Sequence, residues 1–283
     1  MLNQSGGIET DLTVICIDKD YFRIISSAAT RTHDKVHILK NLSKDLDFKD
    51  VTDDYACLGI FGPKSRDLLS KLSNDDFSKE TFKFGDGKSS NINSKKIWIQ
   101  RLSYVGELGY EIYCRPPYLI RLAEAIETAG ADHGYRWYGA RALMSMRLEK
   151  GWGAWGLEFR PDFDAHESGM DIFINWDKDF VGKAASLSAK NTPPKQKLVT
   201  MVIDVDGIDV CNDEAILKDG KAVGYVSSGG YAHRVQKSMA MGYVETEHAR
   251  AGTILQVEIL GEFYNAEVLG GPIYDPNGAN MRS

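Results

Sequence analysis

The sequence predicts an α+β fold that closes on a small all-β domain, a barrel or a sandwich. Three observations predict it. Up to residue 192 the apolar positions switch between alternate spacing, which suits strands, and three-to-four spacing, which suits helices. The pair Pro193-Pro194, flanked by Asn, Thr, Lys and Gln, is the best linker in the chain. Beyond it, residues 195–283 carry short apolar runs separated by turn residues. A length of 283 residues suits two domains with a margin for a small third, here 1–192 and 195–283.

The elements follow in order. Leu12 to Ile17 and Tyr21 to Ile25 are extended apolar runs joined by Asp18-Lys19-Asp20, a hairpin. From Thr30 to Leu46 the residues Val36, Leu39, Leu42 and Leu46 share one helical face. Residues 51–150 form an α+β lobe that opens with strand Ala56–Phe61. Gly62-Pro63 then starts a helix through Leu68, Leu69 and Leu72, because Pro is tolerated in a first helical turn. Phe82–Lys95, rich in Gly, Ser, Asn and Lys, reads as a surface loop. Strands follow around Ile97–Leu102 and Gly109–Cys114. Pro116-Pro117 opens a helix that ends at Gly130, and a further helix, Ala140–Lys150, stops at Gly151. Residues 151–192 are aromatic and irregular, and with 1–50 they make up the other lobe of the first domain. In the last domain Asp219-Gly220 lies between two apolar runs, a strong hairpin signal because both residues accept positive φ.

Composition narrows the function. The net charge of −6, with 43% hydrophobic and 26% charged residues, is that of a soluble globular protein. It argues against nucleic acid, whose partners concentrate positive charge on one face. No apolar run is long enough for a membrane span, and the N-terminal stretch has no secretion signal, so a cytoplasmic protein is expected. Cys16, Cys57, Cys114 and Cys211 are far apart and read as buried thiols in a reducing compartment. No metal site is expected, since His33, His37 and His166 lack metal spacing.

Three stretches could carry chemistry. Gly6-Gly7-Ile8-Glu9-Thr10-Asp11-Leu12 places two glycines and two carboxylates before a strand. It reads as an ordinary turn with solvated acids or as a carboxylate held at a strand edge to take a proton. Glu111, inside a strand after Tyr104-Val105-Gly106-Glu107-Leu108-Gly109-Tyr110, faces either water or a partner. Arg141 opens a helix, where a cation is unfavourably placed against the helix dipole, and is either exposed or aimed at an anion.

Together and in order, these stretches resemble the glycine-cleavage T-protein superfamily. The landmarks are Asn3 to Ile8 with Asp11-Leu12, Gly59-Ile60-Phe61-Gly62-Pro63, Tyr104 to Glu111, Ala140-Arg141-Ala142-Leu143 with Arg147-Leu148-Glu149, Lys178 to Lys183, and Met239 to Val244. The wording Ser103 to Glu111 and Trp152-Gly153-Ala154-Trp155-Gly156 is more similar to the folate-binding half of dimethylglycine and sarcosine dehydrogenases. The resemblance implies three regions around a central opening that holds tetrahydrofolate, and a one-carbon, aminomethyl-type transfer that yields 5,10-methylenetetrahydrofolate. It implies that Asp11 is the general base or electrostatic partner at the reactive folate nitrogens. Glu111 would take two hydrogen bonds from the pterin edge, Tyr104 would pack on the pterin, and Arg141, Ile25 and Ser27 would line the same site.

The chain also departs from the family. Thr10 stands where T-proteins have a second Asp, and Ser27 where they have Asn. Family members carry a long segment before the Gly-Gly motif, so the N-terminal part of the fold is expected to be missing and self-association to follow. The flavin half of the dehydrogenases would be a separate flavoprotein subunit. The alternatives are a folate-binding protein without catalysis, or a fragment of a larger sarcosine or dimethylglycine dehydrogenase.

Overall fold

The computed structural model describes all 283 residues. The chain divides into two compact units: Met1–Thr13, Ile25–Leu42 and Met144–Tyr274 form one, and Val14–Ile24, Ser43–Leu143 and Asp275–Ser283 the other. No helix is long and apolar enough to cross a membrane.

The hairpin pairs β1 (Thr13–Asp18) with β2 (Tyr21–Ile25), and α1 (Arg31–Asn41) follows. The helix is shorter than the spacing predicts, and its inner face is a different one. Asp34 and Ile38, one turn apart, are buried, whereas Val36 and Leu39 are exposed. Hydropathy could not choose a face that buries a carboxylate, because such burial depends on partners remote in sequence.

The second unit is built on a four-stranded sheet in the order β3-β6-β5-β4, with β3 Ala56–Phe61, β4 Gly87–Ile92, β5 Lys95–Gln100 and β6 Gly109–Cys114. One face is apolar. Ile60, Ile92, Ile97, Ile99, Tyr110 and Ile112 pack there with Leu68 and Leu69 of α2 (Ser65–Leu72) and Leu122 and Ile126 of α3 (Leu119–Gly130). By the two-residue alternation of a strand, the opposite face carries Cys57, Gly59, Trp98, Gln100, Glu111 and Tyr113. The expected loop at 82–95 is instead core and strand: Phe82 is buried, and β4 pairs with β5 along its whole length. The turn between them, Asn93-Ser94, has positive φ at both residues, the twist of a tight hairpin. Its polar residues look like those of a loop because β4 lies at the sheet edge.

In the first unit α4 (Ala140–Glu149) runs in from the preceding segment, and α5 (Lys183–Lys190) precedes a closed six-stranded barrel, ordered β10-β7-β12-β11-β8-β9. Its strands are β7 Gln196–Ile203, β8 Ala215–Lys218, β9 Lys221–Ala232, β10 Lys237–Glu245, β11 Ile254–Ile259 and β12 Glu262–Val268. Closure removes every sheet edge. Met201, Ile216, Val226, Ala240, Val257 and Ala266 fill the interior. The turn at Asp219-Gly220 has the positive φ values expected of it. A buried ion pair lies where α4 meets the barrel. Arg147 bonds Glu158 at 2.9 Å, and Glu158 also accepts from the Ser227 and Ser228 hydroxyls and the Ala154 amide. Glu149 accepts from the Arg234 amide at 2.6 Å in the β9–β10 turn. Arg147 and Glu149 are therefore structural.

Of the four cysteines expected in the interior, only Cys114 is buried. Cys57 lies on the open face of β3, Cys16 on the two-stranded hairpin, and Cys211 in the turn before β8.

Candidate functional site

In the first unit the Asp11 segment is shaped by the residues before it. Asn3 Oδ1 accepts from the Ser5 and Gly7 amides, each at 3.0 Å, and so closes a tight turn. Gly7 has no alternative, because a Cβ there would collide with the Pro161 carbonyl. The chain then lies against 161–164: the Ile8 amide donates to the Phe163 carbonyl at 3.0 Å, and Gly7 bridges Asp164. Glu9 is held from three sides. Trp155 Nε1 donates to its carbonyl at 3.1 Å, Asn3 Nδ2 to its carboxylate at 3.1 Å, and His33 Nε2 lies 3.1 Å from the same carboxylate. The other nitrogen of that ring, Nδ1, is 3.1 Å from Asp34 Oδ1.

Asp34 is only 2% exposed, yet it stays ionised. Burial works against its charge, but side-chain hydrogen bonds from Thr30, Ser26, His33 and Thr10 together hold its carboxyl below the ordinary value of 3.8. The Thr30 hydroxyl lies 2.5 Å from Oδ2. This acid was not singled out from sequence, although Thr30 and Asp34 stand one helical turn apart. Thr10, where the sequence shows no second carboxylate, is itself buried, at 2% exposure. Asp11 comes next. It is open to solvent, but the protein around it disfavours its charge and pushes its carboxyl up, the Met1 amino group opposing this. Ile25 is half-buried at the end of β2. Ser27 is exposed, and its carbonyl accepts from the Thr30 amide at 3.1 Å.

Tyr104, Glu111 and Arg141 belong to the second unit. Tyr104 is half-buried in the connection from β5 to β6, before Gly106 in a left-handed conformation. Glu111 is half-buried on the open face of β6, opposite Gly59 and Gln100. Its carboxylate accepts a short hydrogen bond from the hydroxyl of Tyr113, two residues on and so on the same face. Burial, then the neighbouring Cys57 and Glu111, push the Tyr113 hydroxyl far above its ordinary value, so it remains a donor at any accessible pH. Cys57, opposite Tyr113, is pushed up to about 12 by desolvation and by the Glu111 charge, although its surface is exposed.

The Phe61 ring lies on the same sheet face, on the β3 side. It lies over Gly59 and Gly109, where any Cβ would overlap it, and 6.5 Å from the ring of Tyr138. Arg23 stacks on Tyr55 at 4.4 Å, with Trp98 5.8 Å away. Arg141 is exposed in the first turn of α4. Sequence reading missed Tyr113 and Phe61, although strand alternation alone puts Tyr113 beside Glu111. The second unit thus presents a carboxylate held by a phenol hydroxyl beside aromatic surface, the pattern that recognises a flat heterocycle bearing N–H donors.

Residues 1–178 match the family model described as the GCVT N-terminal domain, and residues 196–275 match the glycine cleavage T-protein C-terminal barrel domain. The chain is 35% identical over 278 residues to mitochondrial dimethylglycine dehydrogenase of Homo sapiens, covering 96% of this chain and 32% of that protein. It thus spans about a third of the length of the dimethylglycine dehydrogenases it matches. It is 30% identical over 278 residues to an aminomethyltransferase of Saccharopolyspora erythraea, covering 97% of this chain and 75% of the relative. The crystal structure of aminomethyltransferase T from the glycine cleavage system of Bartonella henselae superposes with a TM-score of 0.85 at 22% identity, covering 98% of this chain and 75% of that one.

Proposed function

The chain belongs to the glycine cleavage T-protein family, and from that premise we propose that it binds tetrahydrofolate and builds a one-carbon bridge on it, giving 5,10-methylenetetrahydrofolate. The observation that carries the reading is Glu111: a half-buried carboxylate on the sheet face away from the apolar core, held by the Tyr113 hydroxyl, which burial keeps from ionising. A 2-aminopyrimidinone edge presents two adjacent N–H donors, which a carboxylate can accept in bidentate fashion. In this reading Tyr104 packs on the pterin, Ile25 and Ser27 line the reactive end, and Arg141 offers its guanidinium to an anionic group of the ligand.

The donor is an oxidised methylamine or a glycine-derived aminomethyl group. For an iminium donor, folate N5 attacks the CH₂=N⁺ carbon, forming the N5–C bond and releasing the N5 proton. N10 then closes on the same carbon as the carbon–amine bond breaks; the amine departs with the proton taken from N5, and the N10 proton passes to solvent. Asp11 takes and returns the N5 proton. Its raised carboxyl brings it nearer the pH at which the exchange is easy in both directions. Oxidation of the methylamine is assigned to a flavoprotein partner, in keeping with the similarity to part of dimethylglycine dehydrogenase.

The test is calorimetry with tetrahydrofolate on the wild type and Glu111→Ala, together with turnover of Asp11→Asn when an iminium donor is supplied. Micromolar binding that depends on Glu111, and turnover that depends on Asp11, are the expected results. A wild type that does not bind reduced folate overturns the proposal.

A further inference from the structure

The open sheet face of the second unit carries two cross-strand rows. Cys57, Tyr113 and Trp98 make one, and Gly59, Glu111 and Gln100 the next, two residues along each strand. Arg23, from β2 of the same unit, is held beside the first row. Its guanidinium lies 4.4 Å from the centre of the Tyr55 ring and 5.8 Å from that of Trp98. Stacking on rings covers the faces of a guanidinium and leaves its N–H groups, which lie in its plane, to find acceptors. Here most of them find none. The side chain makes one hydrogen bond, from Nη2 to the Tyr55 hydroxyl at 3.3 Å, while Nε and Nη1 are shielded from water and have no acceptor. Arg115, 4.8 Å from the same Tyr55 ring, shows the ordinary arrangement: it is exposed and pairs with Asp54 at 3.7 Å. Charged donors hidden from water and left unbonded are rare, because nothing offsets their desolvation.

We propose that Arg23 is a ligand-binding residue, the donor that meets the ring carbonyl next to the two N–H groups taken by Glu111. The inference rests on the folate reading. A 2-aminopyrimidin-4-one edge presents donor, donor and acceptor in sequence, and a carboxylate answers the two donors but has nothing for the acceptor. The nitrogen and hydroxyl donors of the two rows are already spent. The Tyr113 hydroxyl donates to Glu111, Trp98 Nε1 to Gln100 at 3.3 Å, and the Gln100 amide to the Gly85 and Asp86 carbonyls at 2.7 and 3.1 Å. Arg23 has donors to give, and a turn of its long side chain along the Tyr55 and Trp98 rings carries them toward the Glu111 row. It thereby selects the ring: a 4-oxo group is accepted, whereas a 4-amino group sets donor against donor.

The deciding experiment is calorimetry on wild type and Arg23→Met with three ligands: tetrahydrofolate, its 4-amino analogue, and tetrahydropteroate, which lacks the glutamate. Arg23→Met keeps the apolar stem and removes the donors. It should weaken tetrahydrofolate and tetrahydropteroate alike, by roughly 10- to 100-fold, and the 4-amino analogue by less than about threefold. All ligands are read on one protein, so partial unfolding scales every constant and leaves their ratios untouched. Arg23→Lys, which keeps the charge but not the planar fork, should show the same ligand dependence at smaller size. Equal losses for the oxo and amino rings would show that Arg23 only supports the structure around Tyr55 and Trp98, and overturn the proposal. A loss that vanishes with tetrahydropteroate would place Arg23 on the glutamate and overturn it equally. Unchanged affinity in Arg23→Met, beside weakened binding in Glu111→Ala, removes Arg23 and leaves the folate reading standing; a wild type that binds no reduced folate removes both.

Discussion

Replacing Glu111 by alanine tests the proposed site at its most specific point. The carboxylate stands on β6 with one oxygen engaged by Tyr113, and the proposal gives the ligand edge two hydrogen bonds to the same group. Bonds to a charged partner contribute about 1.5–3 kcal/mol, and loss of the carboxylate also leaves the ligand N–H groups without their acceptor. The net loss should be about 2–3 kcal/mol, or roughly 30- to 150-fold in Kd. The alanine variant also leaves the Tyr113 hydroxyl, on a side chain 6% exposed, without its acceptor, which should cost about 1 kcal/mol of stability. Tyr113→Phe separates these effects, because it keeps the ring and the carboxylate but frees the carboxylate to rotate. It should weaken binding by about three- to tenfold, the equivalent of one neutral hydrogen bond, and leave kcat at saturating folate unchanged. Calorimetry on the three proteins at one pH and ionic strength reads the differences directly. Equal affinity of wild type and Glu111→Ala would refute the placement of the pterin edge. Equal affinity of wild type and Tyr113→Phe would show that the hydroxyl does not orient the acceptor.

Other outcomes follow from the same geometry. Asp11→Asn should lower turnover by roughly 10²–10⁴ with folate affinity within a few-fold. Because the folded protein raises that carboxyl above its ordinary 3.8, ionisation opposes folding above that range, so the variant should melt higher than wild type at pH 7 and lose the advantage below about pH 3.8. Asp34→Asn has the opposite sign. The folded carboxyl is held below 3.8, so its contribution is present at neutral pH and lost as pH falls through the folded value; the variant should be about 3 kcal/mol less stable at pH 7 and approach wild type in strong acid by thermal melts. Arg147→Met should cost about 3–5 kcal/mol in urea unfolding by leaving Glu158 charged and buried, and adding Glu158→Leu should not restore it, because Ser227, Ser228 and the Ala154 amide would lose their acceptor. Alkylation at pH 8 followed by mass spectrometry should modify Cys16 and Cys211 well before Cys57, whose thiol, at about 12, leaves roughly one thiolate in ten thousand.

Much of the fold was legible because its signals are local. β3 and β6 run over the residues their alternation assigns, and Asp219-Gly220 turns as its backbone preferences require. The misreadings occurred where tertiary context outweighs the local signal. β4, Gly87–Ile92, is polar because it lies at a sheet edge, and the Asn93-Ser94 turn that defines it lacks the glycine by which such hairpins are recognised. Leu260 likewise takes a positive φ in the β11–β12 turn, which a leucine does not announce. The inner face of α1 was misassigned for a further reason: Asp34 is buried with the Thr30 hydroxyl and the His33 ring as partners, polar groups that a hydropathy pattern assigns to the surface.

For the site, motif and chemistry were legible to different depths. Asp11 and Glu111 stand in recognisable wording, so a resemblance finds them, but it attaches no partners to them. Tyr113 required only the two-residue period of a strand. Asp34 required the fold itself, since the His33 ring joins it to Glu9 only after the chain has passed through the hairpin and returned as a helix. Each acid nominated from sequence is accompanied by a hydroxyl within two positions, Thr10 beside Asp11 and Tyr113 beyond Glu111. At Asp34 hydrogen bonding outweighs the burial that opposes its charge, and at Glu111 the acceptor is held by a phenol whose ionisation burial suppresses. A site that must hold a carboxylate in a fixed orientation is therefore best sought by pairing each candidate acid with the nearest hydroxyl on its own face, and then asking which buried acid that hydroxyl reaches.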